Sequence, residues 1–217
     1  MSRGRAGGAR MARLALATVL AGPALGALAP DVAAQGSPEP DVEAAYTWFR
    51  MAFAGPCGNS FGGRIDGLGE SVHVLTTPPV SEGGTPGHAI LYGFPCNAGA
   101  YLVFTAWLVE DSRGVFTPLA FSLPAVEYDY EDVEQTRLRS YRVTGMTVAL
   151  DIPDAAFDPA TRTMRSLGLW RGLADASDRT EWRYEDGAFV LRSYEADPTF
   201  DQESGDYITI YDADAPD

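Results

Sequence analysis

The apolar residues near the start of the chain follow a helical period. Between positions 37 and 56 they recur at intervals of three and four residues. They are Val42, Tyr46, Phe49 and Phe53. Asp41 stands just before this stripe, and aspartate is a favoured N-cap because its carboxylate accepts from free backbone N–H groups. We therefore predict one helix here, ending at Gly55-Pro56.

Beyond residue 70 the pattern changes to that of short β-strands. About ten segments are rich in aromatic and β-branched residues and are separated by Gly, Pro and Asp. They cover 72–76, 89–94, 100–109, 115–122, 138–143, 147–152, 163–167, 180–184, 188–194 and 207–211. Because no helical pattern lies between them, we predict an all-β fold. The expected architecture is an antiparallel sandwich or curved meander of about ten short strands with one N-terminal helix.

One hairpin can be predicted in register. Asp186-Gly187 is a dipeptide typical of two-residue hairpin turns. With the turn at that position, Tyr184 faces Phe189 across the hairpin. Trp182 then faces Leu191, so both large pairs lie on the same side. We predict that this side is buried.

The first 34 residues have the composition of a secretory signal peptide. Four arginines precede an apolar run over residues 14–29, and small residues end the segment at Ala34. The run contains Gly and Pro and is shorter than the roughly 20 apolar residues of a membrane span, so we expect no stable membrane anchor. We predict a signal peptide over residues 1–34. A start at either Met1 or Met11 leaves a workable signal. A single β-rich domain over residues 35–217 is then expected in the periplasm or outside the cell.

The charge of the chain excludes several classes of function. It has 16 basic and 30 acidic residues, a net charge of −14, and all the basic residues are arginine. Without residues 1–34 the balance is 12 − 29 = −17. Nucleic acid is therefore not an expected partner, because phosphate backbones bind clustered basic residues. Schiff-base enzymes, pyridoxal phosphate enzymes and phosphate-loop proteins need a lysine, so these are excluded and no cofactor is expected.

The chain has two cysteines, Cys57 and Cys96. In an oxidising compartment an even pair indicates a disulfide, which would fasten the helix and the loop after it to the sheet. Free thiols or a redox pair are the alternatives, and no Cys-x-x-Cys motif supports the latter. We predict the disulfide.

Two segments carry a family resemblance, FPCNAGAYLVFTAWLVED and FDPATRTMRSLGLWRGLADASDRTEWRYEDGAFVL. Over roughly residues 88–194 they resemble the C-terminal half of the exported bacterial proteins grouped as domain of unknown function 1176. The matching residues are Cys96, Gly99, Ala100, Tyr101, Asp158, Pro159, Thr161, Arg171, Gly172, Leu173, Asp175, Trp182, Gly187, Phe189 and Leu191. Ala176 stands where the family has cysteine, and Trp170 and Ala174 stand where it has glycine. The resemblance implies an exported protein of unknown function and carries no catalytic residues.

The sequence contains a segment that matches the serine-hydrolase motif G-x-S-x-G. Gly58-Asn59-Ser60-Phe61-Gly62 matches G-x-S-x-G, and Asp66 and either His73 or His88 follow in the serine, acid, histidine order. A nucleophile elbow needs a sharp turn between a strand and a helix, whereas this motif lies in a glycine-rich loop. Two histidines are also a weak zinc set. We interpret them as residues of a sheet face or loop.

An acidic cluster lies in the middle of the chain. Its members are Glu127, Asp129, Glu131, Asp132 and Glu134. Such carboxylates could bind calcium, but no Asp-x-Asp-x-Asp-Gly loop is present. Tyr128 and Tyr130 alternate with the acids, as along an edge strand whose outward positions are charged. We favour a solvated edge and predict no metal site.

The loop from position 170 to 178 is the strongest candidate for a site. Its candidate binding residues are Trp170, Arg171, Asp175 and Asp178. Trp182 is already explained by the hairpin. Trp170 lies where the strand register is lost; core packing is the favoured interpretation of its ring, and an aromatic binding surface is the alternative. We therefore expect a non-enzymatic binding module in the cell envelope with a protein or glycan partner.

Two other functions remain open. A carboxylate-dependent hydrolase would use Asp175, Asp178 and Glu181 for acid and base chemistry. A structural envelope component would bind no small ligand.

Overall fold

The computed structural model describes residues 38–57, 68–79 and 84–215. It contains one helix, α1 (Val42–Ala52). The strands are β1 (Ser71–Thr77), β2 (Gly87–Ala98), β3 (Val103–Asp111), β4 (Phe116–Pro118), β5 (Phe121–Tyr130), β6 (Leu138–Ala149), β7 (Asp151–Pro153), β8 (Ala156–Asp158), β9 (Thr163–Leu169), β10 (Ser177–Glu185), β11 (Ala188–Asp197) and β12 (Ile208–Asp212). Over these ranges no helix has the length and apolar character to cross a membrane. The predicted signal peptide and the G-x-S-x-G motif lie outside the described residues.

The strands form two five-stranded sheets and a separate hairpin. The first sheet has the order β1-β2-β3-β4, with β7 also paired to β3. The second has the order β12-β11-β10-β9-β8, and β5 pairs with β6 alone. Every pairing is antiparallel. The predicted all-β class with one N-terminal helix is confirmed.

Helix α1 begins where the sequence predicts. The Asp41 carboxylate accepts a hydrogen bond from the Ala44 backbone N–H at 2.9 Å, which satisfies one of the free donors of the first turn. Phe49 and Phe53 on the apolar stripe are buried, and the ring of Phe49 packs on that of Phe94 at 5.0 Å between centroids. The helix ends at Ala52, slightly before the predicted glycine and proline.

Strand β2 is buried on both faces because its sheet lies between α1 and the second sheet. Leu91 faces the second sheet and belongs to the core between the two sheets. Ile90, Tyr92 and Phe94 face the opposite way and pack with α1 in a second core. The continuous apolar run of β2 therefore reflects three layers: helix, first sheet and second sheet.

The β10–β11 hairpin has the predicted register. Tyr184 pairs with Phe189 and Trp182 pairs with Leu191. Asp186 and Gly187 have φ angles of 48° and 88°, as a two-residue turn with both central residues left-handed requires. All four large side chains are buried in the core between the sheets.

The predicted disulfide is confirmed. Cys57 and Cys96 are bonded, with their Cα atoms 4.9 Å apart, and both are buried in the core beneath α1. The bond ties the end of the helical segment to the end of β2.

The long β5–β6 hairpin differs from the prediction. The sequence predicts separate strands over residues 138–143 and 147–152, whereas β6 continues through Gly145 to Ala149. The register shifts between Ala125 and Val126 on β5, which leaves an extra residue on β6 next to Gly145. A glycine inside a strand pattern can mark such a bulge as well as a turn.

Candidate functional site

The loop between β9 and β10 is closed by its own backbone. Trp170 N–H donates to the Ala176 carbonyl at 2.9 Å, and Ala174 N–H donates to the Arg171 carbonyl at 3.0 Å. Ala174 has a φ of 59°, a conformation that favours glycine because Cβ crowds the backbone. The resemblance places a glycine at this position, and the loop geometry explains that preference.

Arg171 and Asp175 form an ion pair inside the loop. The guanidinium of Arg171 donates from Nε to Asp175 Oδ1 at 2.7 Å and from Nη2 to Oδ2. Asp175 is only 1% exposed, so the pair is shielded from water on the carboxylate side. A two-pronged contact of this kind fixes both position and orientation.

The same pair holds a second segment of the chain, after β11. Arg171 Nη2 donates to the Phe200 carbonyl at 3.1 Å, and its guanidinium lies over the Phe200 ring at 5.0 Å. Asp175 Oδ2 accepts from the Gln202 backbone N–H at 3.0 Å. The Arg171–Asp175 pair therefore braces the loop against residues 200–202.

These contacts determine the protonation of Asp175. Its hydrogen bonds from Arg171 hold the pKa of the carboxyl far below its ordinary value, and the Gln202 N–H acts in the same direction. Asp175 stays ionised at physiological pH and has a structural role in the loop. It is a poor general acid for that reason.

Above this brace, the structure brings together the two segments that carry the family resemblance. The ring of Tyr101 lies directly on Gly172: a Cβ on Gly172 would be 2.6 Å from Tyr101 Cε1. Tyr101 is 64% exposed and Leu173 is 67% exposed. We refer to Tyr101, Gly172 and Leu173 as the Tyr101 surface. Sequence reasoning did not assign Tyr101 to the site, although it belongs to the matching Gly-Ala-Tyr motif.

Trp170 lies below this surface, partly buried. Its indole Nε1 donates to Asp178 Oδ2 at 2.7 Å. Its ring packs against Tyr128 and Phe200, with centroid distances of 5.6 and 6.3 Å. Trp170, the predicted centre of the binding surface, therefore contacts other residues of the protein. The exposed side chains next to it are those of Tyr101 and Leu173.

Asp178 is directed toward the core side of the second sheet. It sits over Gly168 on β9, where a Cβ would be 2.6 Å from Asp178 Oδ2. Burial raises the pKa of Asp178, and the hydrogen bond from Trp170 only partly opposes this. Asp175 and Asp178 thus have opposite pKa shifts although they are three residues apart.

Two tyrosines line the same buried region. Burial raises the pKa of both Tyr128 and Tyr194, and the nearby Asp178 carboxylate acts in the same direction. The Tyr128 hydroxyl is buried, and its hydrogen-bonding neighbour Tyr194 partly opposes the rise of its pKa. A charged Asp178 carboxylate is costly in these surroundings, because a buried charge needs partners.

The three acids of the hydrolase hypothesis do not converge. Asp178 is on the core face of β10, whereas Glu181 is on the outer face and accepts from Arg165 Nε at 3.0 Å. The Asp175 carboxylate is already paired with the Arg171 guanidinium. Paired acid and base catalysis requires two carboxyl groups facing one substrate, and no two of these three have that arrangement.

A family model described as Protein of unknown function (DUF1176) matches residues 86–212, which is more than half of the chain. The chain belongs to this family. The family match includes both Tyr101 and the 170–178 loop, so the convergent segments lie within the family's own domain.

A relative among curated proteins matches part of the chain. The chain is 29% identical over 111 residues to the uncharacterized protein YpfG of Escherichia coli (strain K12). This match covers 51% of the chain and 28% of YpfG, so the chain spans less than a third of that relative's length. No solved structure matches the chain.

The remaining sequence candidates are dispersed over the DUF1176 chain. His73 packs between Trp107 and Phe157, and burial lowers its pKa. His88 lines a separate cavity of about 450 Å³ together with Asp111 and Ser112. The other two residues of the serine-hydrolase order, Ser60 and Asp66, lie outside the described residues.

The acidic cluster lies on the β5–β6 hairpin and the turn that joins its strands. Glu127 contacts Arg142 at 2.5 Å and Asp129 contacts Arg139 at 3.1 Å. Within residues 38–57, 68–79 and 84–215, no three His, Cys, Asp or Glu side chains are grouped as metal ligands. The geometry is that of a solvated hairpin with cross-strand ion pairs.

Replacing Asp178 with asparagine should raise the stability of the protein at pH 7. The pKa of Asp178 is raised in the folded state, so protonated Asp178 favours folding at acidic pH. This contribution to stability is lost as the pH rises through the folded-state pKa. The amide side chain of the Asp178→Asn variant would keep an acceptor for the Trp170 N–H without a buried charge. We expect a rise of a few degrees in Tm at pH 7 that vanishes as the pH falls below the ordinary pKa of aspartate, measured by thermal unfolding.

Asp158→Asn is the matched control with the opposite sign. Its carboxylate accepts from Thr161 and Ala160, which lowers its pKa, so the variant should lose stability at pH 7 and approach the wild type in acid. Equal pH profiles for the two variants would contradict the assignment of Asp178 as a buried, destabilising charge.

Proposed function

We propose that this protein is an exported binding module that recognises a protein partner through the Tyr101 surface. The observation that carries the proposal is the seating of Tyr101 on Gly172, beside the exposed Leu173. An exposed aromatic side chain that packs on the braced loop, next to an exposed aliphatic side chain of that loop, forms the kind of apolar anchor found at the centre of protein interfaces.

The loop is organised for binding before a partner arrives. Arg171 and Asp175 hold it to Phe200 and Gln202, and the backbone closes it at Trp170 and Ala176. On the other side, the Cys57–Cys96 bond anchors the end of β2, from which the chain continues to Tyr101. A surface that is already ordered loses less conformational entropy on association, and its affinity is correspondingly greater.

A protein partner fits the surface better than a glycan. Sugar recognition needs hydrogen-bond donors and acceptors aimed at hydroxyl groups beside the stacking ring. Here the guanidinium of Arg171 is engaged by Asp175 and by the Phe200 carbonyl, and the Trp170 N–H is engaged by Asp178. The Tyr101 ring and the Leu173 side chain are exposed, and they favour an apolar patch on a protein.

Export is supported by the disulfide and by the N-terminal sequence. Disulfides persist in oxidising compartments and are rare in the cytosol. The bond between Cys57 and Cys96 therefore agrees with a chain that begins with the features of a signal peptide. We propose the periplasm as the compartment in which the module binds.

Affinity capture from a cell-envelope extract tests the proposal. The bait is the tagged protein secreted from its full-length precursor, compared with its Leu173→Asp and Tyr101→Ala variants. Burying an aspartate in an apolar interface is costly, so we expect Leu173→Asp to reduce recovery of a specific protein at least tenfold, or about 1.4 kcal/mol. Bound proteins and glycans are quantified by mass spectrometry.

Val133→Asp is the matched control, because Val133 is 94% exposed at the turn between β5 and β6. It adds the same charge at an exposed position outside the Tyr101 surface and should retain the partner. Equal recovery by Leu173→Asp and wild type, with both folded, would contradict the proposed surface. Enrichment of glycans instead of a protein would contradict the partner class.

A further inference from the structure

Strand β6 is an unusually exposed edge. It runs from Leu138 to Ala149, and all ten residues between its two ends are exposed. It pairs with β5 on one side, and its other edge pairs with no strand in the part of the chain that the structure describes. Unpaired N–H and C=O groups along such an edge are ready to accept another strand.

The edge lacks several of the residues that keep β-strands apart. β6 contains no proline, no lysine and no acidic residue, although the whole chain has 30 acids. Its exposed apolar side chains are Tyr141, Val143, Met146 and Val148, and Leu150 follows directly after it. Natural edge strands are usually interrupted by charge or proline, so this composition indicates a strand that is covered in the assembled protein.

The two halves of β6 differ in charge. Arg139 and Arg142 lie in the first half, and each forms an ion pair with an acid of β5. The second half, with Met146 and Val148, has no charged residue. An antiparallel contact centred on the second half would bring apolar residues together and move the arginines of the two strands away from each other.

We propose that β6 pairs antiparallel with β6 of a second copy of this chain, about a twofold axis at Met146. With the axis at this residue, Thr144 faces Val148 of the other copy and Met146 faces its own equivalent. The two hairpins then form a continuous four-stranded sheet, β5-β6-β6-β5. A two-stranded hairpin is only marginally stable by itself, and this pairing removes its free edge.

The net charge of the chain favours a second copy at this place. Two chains of charge −14 repel each other over most of their surface. β6 is a segment of 12 residues that contains no acid and two arginines. Close approach of two copies is therefore least unfavourable along β6. Twofold pairing requires that the second half of β6 is apolar and that the arginines of the two copies point away from each other. A partner of a different kind would not require this pattern.

The oligomeric state of the secreted protein tests the inference. Light scattering after size-exclusion chromatography should give the mass of a dimer at micromolar concentrations. Val148→Asp places two carboxylates beside the axis and should halve the mass, while Val133→Asp should remain dimeric. A monomeric wild type would overturn the proposal, as would a Val148→Asp variant that stays dimeric.

A cysteine at the axis gives a second test that does not depend on a disruptive substitution. In Met146→Cys the two new thiols face each other, so mild oxidation should produce a covalent dimer, whereas Val133→Cys should not. Lack of cross-linking in a dimeric Met146→Cys protein would overturn the β6 pairing. Because Leu173→Asp leaves β6 unchanged, it should lose partner capture and remain a dimer, which separates this inference from the proposed binding function.

Discussion

Replacing Trp182 with alanine should lower the free energy of unfolding by about 3–5 kcal/mol. Trp182 is fully buried between the two sheets and packs edge to face on Phe121, with 5.1 Å between ring centroids. Its indole N–H donates to the Ser122 carbonyl at 2.8 Å. The substitution leaves a large cavity and an unsatisfied carbonyl at the junction of β5 with the second sheet. Urea denaturation followed by circular dichroism measures the loss.

Trp48→Ala removes the same side chain from an exposed position and serves as the control. Trp48 lies on the outward side of α1 and stacks on Phe116 at 6.0 Å. We expect this variant to lose only about 1–2 kcal/mol, because nearly half of the side chain is already in water and no enclosed cavity is left. Similar losses for the two variants would contradict a core centred on Trp182.

Removing the disulfide should be the other large effect, at about 4 kcal/mol in the chain-entropy model. The bond spans a sequence separation of 39 residues, so it restricts the unfolded chain strongly. We expect the urea midpoint of the wild type to fall on complete reduction. The Cys57→Ala, Cys96→Ala double variant should show the lower midpoint with or without reductant.

Two results would contradict this role of the disulfide. One is a reduced protein that loses less than about 1 kcal/mol while keeping its fold. The other is a double variant whose midpoint still depends on reductant. The first outcome would mean that packing of α1 against β2, through Phe49 and Phe94, holds the two layers together without the bond. The second would mean that the reductant acts on stability by a route other than this disulfide.

The elements that depend on local chemistry could be predicted from the sequence. The Asp186-Gly187 turn sets the β10–β11 register because two residues decide which side chains face each other. The start of α1 follows from Asp41 and the apolar stripe. The continuous β6 strand could not be predicted because a glycine inside a strand has two meanings, and only the pairing with Ala125 shows that Gly145 lies beside a bulge.

The candidate site was predicted only in part, for a different physical reason. The sequence drew attention to the loop from Trp170 to Asp178, but it could not show which side chains face outward. Asp175 and Asp178 are alike in sequence, and their pKa values shift in opposite directions because one meets Arg171 and the other meets an apolar core face. The packing of Tyr101 on Gly172 joins distant segments, and the only available signal was that both belong to the family motifs.

The most direct test of the binding surface is quantitative capture of the envelope partner by the Gly172→Ala variant. The added methyl group would lie 2.6 Å from Tyr101 Cε1 and overlap the ring. The Tyr101 ring must therefore move away from residue 172. Since Tyr101 is exposed, the move should change the free energy of unfolding little. We expect the variant to be as stable as the wild type within about 1 kcal/mol and to recover at least tenfold less partner. Recovery equal to the wild type, with Tyr101 displaced, would contradict the account.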